Sequence, residues 1–192
     1  NAVQNEFPDL LDVESDITDL FEKIKFQFPE INLSRVIFLT NNVDYQLKTV
    51  FADSILLISL DTFLGSNHPL YKGIPSYIKK ELDRKYITSQ IVDKFAMHIF
   101  PPPNERTFLA KILYEGKKMY LKDIYLPHLK DNIKIAYTEE EIKWAKENER
   151  LIWQYFVEKQ ILFKTDSDLV ERFLEPAPFS KFYLQIDNES PG

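Results

Sequence analysis

The sequence predicts an α+β fold in which a small N-terminal three-stranded sheet packs on a helical majority. Two short apolar runs rich in β-branched residues, Arg35–Thr40 and Ser54–Leu60, indicate strands. After them the apolar residues recur at the three- and four-residue spacing of helices. The 192 residues, 14% of them aromatic, are enough to build a hydrophobic core. We therefore expect a single domain over residues 1–192, with residues 1–10 and 180–192 loose.

A helix and three strands make up the N-terminal part of the prediction. One helical face ends at Pro29, because proline lacks the backbone N–H that a helix needs. The continuous apolar run Arg35–Thr40 is typical of a strand buried on both faces. Val43–Phe51 and Ser54–Leu60 predict the other two strands, which a tight turn at Ala52-Asp53 would join into a hairpin. The side chains on the helical face are Ile17, Leu20, Phe21, Ile24 and Phe28.

A loop and a series of helices follow the sheet. Gly65–Pro75 contains two of the four glycines and two prolines, which predicts an ordered loop. Three consecutive prolines at 101–103 end one of the later helices. Thr138 and Glu141 have the spacing of a capping box, which marks the start of another. The predicted helices are Ser76–Asp83, Thr88–Ile99, Phe108–Leu126, Thr138 to about Lys159, and Asp166–Leu174.

The longest apolar-periodic stretch is Phe108–Leu126, FLAKILYEGKKMYLKDIYL. Its apolar face is wide enough to predict a helix that runs through the core. Gly116 lies mid-helix, where glycine costs about 1 kcal/mol relative to alanine, so its position predicts close approach of another backbone. Glu115, Lys117 and Lys118 place charges on the middle turns. This combination makes the stretch the first candidate for a functional site.

Composition and charge exclude several classes of function. The chain has 24 basic and 30 acidic residues and a net charge of −6, without a basic block, so nucleic acid is not an expected partner. The absence of cysteine excludes disulfides, thiolate metal sites and a cysteine nucleophile. His68, His98 and His128 lie in separate segments, without the spacing of a histidine zinc site. No metal and no cofactor are therefore predicted.

Four long, irregular strings of polar and aromatic residues cover most of the chain. They are LDTFLGSNHPLYKGIPSYI, YEGKKMYLKDIYLP, YTEEEIKWAKENERLIWQYFVEKQILFKTD and PAPFSKFYLQIDNESPG. These strings resemble the GldB family, the gliding-motility-associated lipoproteins of Bacteroidetes. The resemblance implies a periplasm-facing lipoprotein that is required for gliding and associated with the type nine secretion machinery. It also implies a fold similar to zinc-metalloprotease-like domains.

That resemblance gives a meaning to residues 114–118. A zincin helix carries H-E-x-x-H, in which two imidazoles bind zinc and the glutamate polarises a water molecule. Here Tyr114 and Lys118 occupy the ligand positions, and Glu115 alone remains. A lysine ammonium repels a divalent cation, and a phenol is a poor ligand at neutral pH. We expect a degenerate zincin motif, with a Glu115–Lys118 contact and Glu115 near a partly open groove; alternatively, the stretch is a helix without catalytic ancestry.

The resemblance also implies segments that this sequence does not contain. Members of the family continue after the ESPG string with an arginine-bearing, aromatic helical segment, whose loss would expose an apolar patch. Before the first residue they carry a signal peptide and a lipid-modified cysteine. This sequence has no signal peptide and no run of 18 apolar residues, and it does not begin with Met. We therefore expect a mature fragment that reaches the membrane through an N-terminal lipid outside this chain.

Together with the altered motif, the resemblance implies a non-catalytic domain at the periplasmic face of the cell envelope. Its expected partners are other gliding and secretion proteins, and His68, Tyr71 and Trp144 are the candidate contact residues. Trp153 and the loop Gly65–Pro75 could also contribute. The alternative is a hydrolase, or a module that binds peptides or glycans, using Glu115 and the adjacent groove.

Overall fold

The structure of the protein is a computed structural model, which describes residues 2–32, 35–52 and 54–175. It confirms the α+β fold, with a three-stranded sheet near the N terminus and a helical majority. The strands are β1 (Arg35–Leu39), β2 (Thr49–Ala52) and β3 (Ile55–Ser59). The α-helices are α1 (Ala2–Glu6), α2 (Leu11–Gln27), α3 (Ser76–Lys79), α4 (Ile87–Ile99), α5 (Phe108–Tyr125), α6 (Asp131–Lys134), α7 (Glu139–Glu158) and α8 (Asp168–Phe173).

The sheet has β3 at its centre, in the order β1-β3-β2. β2 and β3 pair antiparallel with Ala52 opposite Ile55, which confirms the predicted hairpin. β1 runs parallel to β3 and forms an edge of the sheet. The prediction that the β1 run is buried on both faces is wrong, because its edge position leaves it only half-buried. In β3, by contrast, Leu56 and Ile58 are fully buried.

β2 is shorter than the predicted strand Val43–Phe51. Tyr45–Leu47 form a single 3₁₀ turn instead of extended chain. The carboxylate of Asp44 caps that turn by accepting a hydrogen bond from the Gln46 N–H at 3.1 Å. Such local side-chain bonds offer the backbone an alternative to strand pairing.

Residues 2–10, part of the segment predicted to be loose, include helix α1. α1 leads into Phe7, whose ring is buried in the main core. The guanidinium of Arg84 lies 5.1 Å from the centre of that ring and pairs with the carboxylate of Asp12. One aromatic side chain therefore anchors a polar segment that shows little apolar periodicity. The other segment predicted to be loose, 180–192, lies outside the described residues.

Two hydrophobic clusters stabilise the fold. The main core combines side chains from α2, β3, α4 and the C-terminal end of α5. Within it α4 is the central helix, because Ile91, Val92 and Phe95 are all fully buried. The second cluster joins the N-terminal end of α5 to α7, α8 and the turn between them. Its buried members are Phe108, Trp144, Phe156, Ile161 and Leu169.

α5 connects the two clusters and is exposed between them. Phe108 belongs to the second cluster, whereas Leu121 and Tyr125 belong to the main core. In the middle of the helix Leu113 is 57% exposed and Tyr120 is 65% exposed. The prediction of a helix that runs through the core is therefore wrong for these turns.

The predicted approach of another backbone at Gly116 is also wrong. A Cβ atom placed there would meet nothing within 4 Å beyond its own helix turn and chain neighbours. The glycine is thus not required by packing among the described residues.

Helices α4, α7 and α8 follow the predictions closely, whereas α6 lies in a segment for which no helix was predicted. In the capping box of α7, the Thr138 hydroxyl accepts from the Glu141 N–H at 3.1 Å, and the Glu141 carboxylate accepts from the Thr138 N–H at 2.7 Å. α3 ends at Lys79, four residues before the predicted Asp83. Across the described part of the chain, no helix combines the length and the apolar character needed to cross a membrane. The single-domain and zincin-like descriptions stay predictions.

Candidate functional site

The predicted motif residues are half-buried on the middle turns of α5 and contact one another. The ammonium of Lys118 is 2.5 Å from the carboxylate of Glu115 and 5.5 Å from the centre of the Tyr114 ring. The expected Glu115–Lys118 contact is therefore present. The Tyr114 hydroxyl donates to the carbonyl of Phe100 at 3.2 Å, and Phe100 is the residue after the last turn of α4. Tyr114 thus ties α5 to the end of the core helix.

These three side chains do not fit the zinc-binding pattern of a zincin helix. A zincin ligand offers a neutral imidazole lone pair, whereas Lys118 offers a cation that already pairs with Glu115. The Tyr114 hydroxyl is engaged as a hydrogen-bond donor. Over the described ranges, no group of three His, Asp or Glu side chains could hold a metal ion. The arrangement is that of a helix-surface ion pair beside an aromatic ring.

His68 and Tyr71 occupy the predicted loop, but only His68 has access to solvent. The His68 Nδ1 atom accepts from the Leu70 N–H at 3.2 Å and caps the 3₁₀ turn Pro69–Tyr71. Tyr71 is fully buried; its hydroxyl accepts from the Leu64 N–H at 2.8 Å and donates to the Asp61 carbonyl at 3.0 Å. Burial raises the pKa of the Tyr71 phenol to about 12. The prediction of Tyr71 as an exposed contact residue is wrong, because this tyrosine holds the loop to the core.

Trp144 is also buried rather than exposed. It is 7% exposed and packs in the second cluster, so the prediction that it projects from the surface is wrong. Trp153, on a later turn of α7, is 43% exposed. The aromatic surface of α7 that solvent reaches is therefore the Trp153 side.

A cleft of about 440 Å³ opens beside these tryptophans, and we call it the α7 cleft. Its walls come from the N-terminal half of α5, one face of α7 and the end of α8. Most of its lining is apolar, which is typical of sites that bind apolar side chains or ligands. Glu115 does not line it, so the expected position of Glu115 on a groove does not apply to this cleft. Its lining includes Phe108, Ile112, Ile142, Glu149, Ile152, Trp153 and Phe173.

Comparison with known families covers the chain from end to end. Residues 1–192 match the family described as gliding motility protein GldB. The chain belongs to the GldB family. This membership confirms the resemblance and identifies a gliding-motility lipoprotein, for which a location in the cell envelope is fitting. No curated protein and no solved structure matched the chain.

A buried lysine of this GldB chain, Lys122, was not predicted from the sequence. It is 6% exposed, and its ammonium lies 2.7 Å from both the Asp93 carboxylate on α4 and the Lys134 carbonyl on α6. The Ser89 hydroxyl donates to the same carbonyl at 2.6 Å. Lys122 therefore joins three helices through one charge. The sequence signal is its position between Leu121 and Tyr125, on the buried side of α5.

Asp61 is a second polar group that the sequence did not single out. Its buried carboxylate accepts from the Asn41 N–H at 3.1 Å and from the Val43 N–H at 2.9 Å. Asn42 and Val43 both have φ +59°, a conformation that is strained for a β-branched residue. Asp61 thus holds the loop after β1 in a left-handed backbone conformation. The sequence gives no signal for this, because the partners are backbone groups.

Proposed function

We propose that this GldB domain is a non-catalytic component of the gliding and type nine secretion apparatus. It acts at the periplasmic face of the envelope, is attached through a lipid, and binds other gliding or secretion proteins. Membership of the GldB family supports the motility role. The observation that carries the non-catalytic role is the ion pair between Glu115 and Lys118.

The chemistry of that pair argues against general-base catalysis by Glu115. A general base needs a carboxylate that is within reach of the proton it removes from the substrate. The Glu115 carboxylate instead lies 2.5 Å from the Lys118 ammonium and is engaged in that contact. Tyr114 and Lys118, at the two ligand positions, supply a hydrogen-bond donor and a cation instead of metal ligands. The three groups contact one another, and Tyr114 also binds the carbonyl of Phe100.

The α7 cleft supports a role in protein binding. Exposed apolar patches that are concave and lined by aromatic residues are common at protein interfaces. Trp153, at 43% exposure, is the tryptophan of the cleft that a partner can reach. The loop Gly65–Pro75 offers a second surface, where Leu70 is exposed beside His68.

Replacing Glu115 in cells that glide tests the non-catalytic role. The native copy is replaced by a Glu115→Gln variant, and colony spreading and protein level are measured. We expect spreading to be unchanged, because the amide keeps the size of the side chain, and the loss of the carboxylate affects only a helix ion pair that contributes little to stability. Glu147→Gln, at an exposed position of α7, is the matched control. Loss of spreading by Glu115→Gln alone, at normal protein level, would overturn the proposal.

Metal analysis gives an independent test. The protein is refolded with excess zinc, dialysed and analysed for bound metal. We expect less than stoichiometric zinc. Stoichiometric zinc that is lost in a Glu115→Ala variant would instead support a hydrolase and contradict the non-catalytic role.

A further inference from the structure

The face of α7 that lines the cleft has a regular composition. Ile142, Ala145, Glu149, Ile152 and Phe156 follow one another at alternating three- and four-residue intervals and all line the α7 cleft. This spacing places them in one stripe along the helix, about 20 Å long. It is the pattern by which one helix packs against another, and α7 already uses part of it, because Ala145, Ile152 and Phe156 pack in the second cluster. Four of the five positions are apolar, and the central one is a glutamate.

Glu149 is the charged residue in this otherwise apolar stripe. It lies between Ala145 and Ile152, and it forms no ion pair with any residue in the described ranges. Lys146, one turn before it, is directed to Asp131 at 3.9 Å rather than to Glu149. In the free protein the Glu149 carboxylate is exposed and hydrated. A partner that covers the cleft removes this water, which is costly for a carboxylate unless a cation replaces it.

The backbone chemistry of the cleft favours a helix as the occupant. An extended peptide gains affinity by pairing with a free strand edge. The described strands contribute nothing to the cleft, whose walls are α5, α7 and α8. A helix satisfies its own backbone hydrogen bonds and presents only side chains to an apolar groove. The alternating spacing on α7 matches the ridges of such a helix.

We propose that the α7 cleft binds an amphipathic helix of a partner protein, with one Lys or Arg placed at its centre to pair with Glu149. Apolar residues on either side of that cation fill the spaces beside Phe108 and Ile152. The glutamate sets the register and the choice of partner, as a single polar residue does in the seam of a coiled coil. This inference rests on the proposed role in protein binding and gives that role a site and a partner chemistry.

A charge-swap binding experiment tests the proposal with the full chain. The probe is a synthetic amphipathic peptide of about 18 residues, with leucines at helical spacing and one central arginine. A second peptide carries glutamate in place of that arginine. Binding is measured by peptide anisotropy and by Trp153 fluorescence. We expect the arginine peptide to bind at least about tenfold more tightly than the glutamate peptide.

The Glu149→Arg variant should reverse this preference. It should lose affinity for the arginine peptide by about tenfold and bind the glutamate peptide better than the native chain does. Glu147→Arg, on the same helix but outside the cleft, should leave both affinities unchanged. Because Glu149 is exposed in the free protein, the reversal does not require a change in the core. Equal affinity of the two peptides for the native chain would overturn the proposal.

Other occupants give different results in the same assay. The chain continues from Leu174, on the wall of the cleft, into residues 176–192. If only a variant with Phe179→Ser and Phe182→Ser binds the peptides, the chain's own C-terminal segment is the occupant and the proposal is wrong. A second copy of the chain is the occupant if sedimentation shows a dimer that Glu149→Arg dissociates. This result would also overturn the proposal.

Crosslinking in cells separates failure of this inference from failure of the proposed function. A photoreactive amino acid is placed at Trp153 in the cleft or at Leu70 in the exposed loop. Capture of an envelope protein from Leu70 but not from Trp153 would keep the binding function and reject the cleft as its site. Capture from neither position would contradict the binding function itself. We expect capture from Trp153, and its loss when Glu149→Arg is added.

Discussion

The ammonium of Lys118 lies 2.5 Å from the carboxylate of Glu115, on the middle turns of α5. The two residues are three apart, a spacing at which ion pairs stabilise helices. Glu115 is about one-third exposed, so water competes with the contact. The pair accounts for Glu115 as a local helix contact.

The first prediction is that this ion pair contributes little to stability. Glu115→Gln should lower the free energy of unfolding by less than about 0.5 kcal/mol, because partly exposed helix pairs are weak. Denaturant unfolding followed by circular dichroism measures the change. Glu147→Gln, which breaks a looser exposed pair with Lys143, is the control. A loss of several kcal/mol would mean that Glu115 has additional buried partners.

The sequence predicted the secondary structure better than the burial. Helix α7 was predicted well because its capping box and apolar spacing are local signals that the folded chain keeps. The hairpin of β2 and β3 was predicted for the same reason. The burial of α5 was not predicted correctly, because an apolar face does not reveal which turns of the helix another element covers. Only its two ends lie in clusters, and its middle turns are exposed.

In the candidate site, too, the sequence predicted a local contact but not the contacts made by tertiary packing. The contact between Glu115 and Lys118 follows from helix spacing, so the sequence was sufficient to predict it. The buried position of Tyr71 depends on two backbone groups that precede it in the chain, the N–H of Leu64 and the carbonyl of Asp61, which both form hydrogen bonds with its hydroxyl. The role of Lys122 depends on a carboxylate from α4 and a backbone carbonyl from α6. Contacts of this kind come from tertiary packing, which apolar periodicity does not encode.

The second prediction concerns the glycine of α5. Gly116→Ala should raise the free energy of unfolding by about 0.5 to 1 kcal/mol, because alanine restricts the unfolded chain and favours the helix. The structure offers room, since an added Cβ meets nothing within 4 Å. Thermal and denaturant unfolding measure the gain. Gly73→Ala is the matched control: Gly73 has φ +91°, so alanine there should destabilise. Destabilisation by Gly116→Ala would indicate that a further segment of the protein packs at this position.

The third prediction is that Lys122 is a major stabilising charge. Lys122→Met should lower the free energy of unfolding by roughly 2 to 3 kcal/mol, because it leaves the Asp93 carboxylate unpaired and removes a donor from the Lys134 carbonyl. Lys117→Met, at an exposed position of the same helix, should change stability by less than about 0.5 kcal/mol.

A double-mutant cycle with Asp93→Asn isolates the ion pair itself. The two substitutions should be less damaging together than the sum of the single effects, by at least about 1 kcal/mol. Additive effects would show that Lys122 acts through the Lys134 carbonyl alone.

The last prediction is a loss of stability in alkali that depends on Tyr71. Burial raises the pKa of its phenol from 10.0 to about 12 in the folded chain. Between these values the unfolded chain releases the phenol proton and the folded chain keeps it, so stability falls as pH rises. The loss should amount to roughly 2 to 3 kcal/mol. Tyr71→Phe removes this titration, although it destabilises the protein at pH 7 by leaving the Leu64 N–H unpaired. Denaturant unfolding from pH 9 to pH 12 should therefore show the stability difference between native and variant shrinking. A constant difference would place the Tyr71 hydroxyl in contact with water.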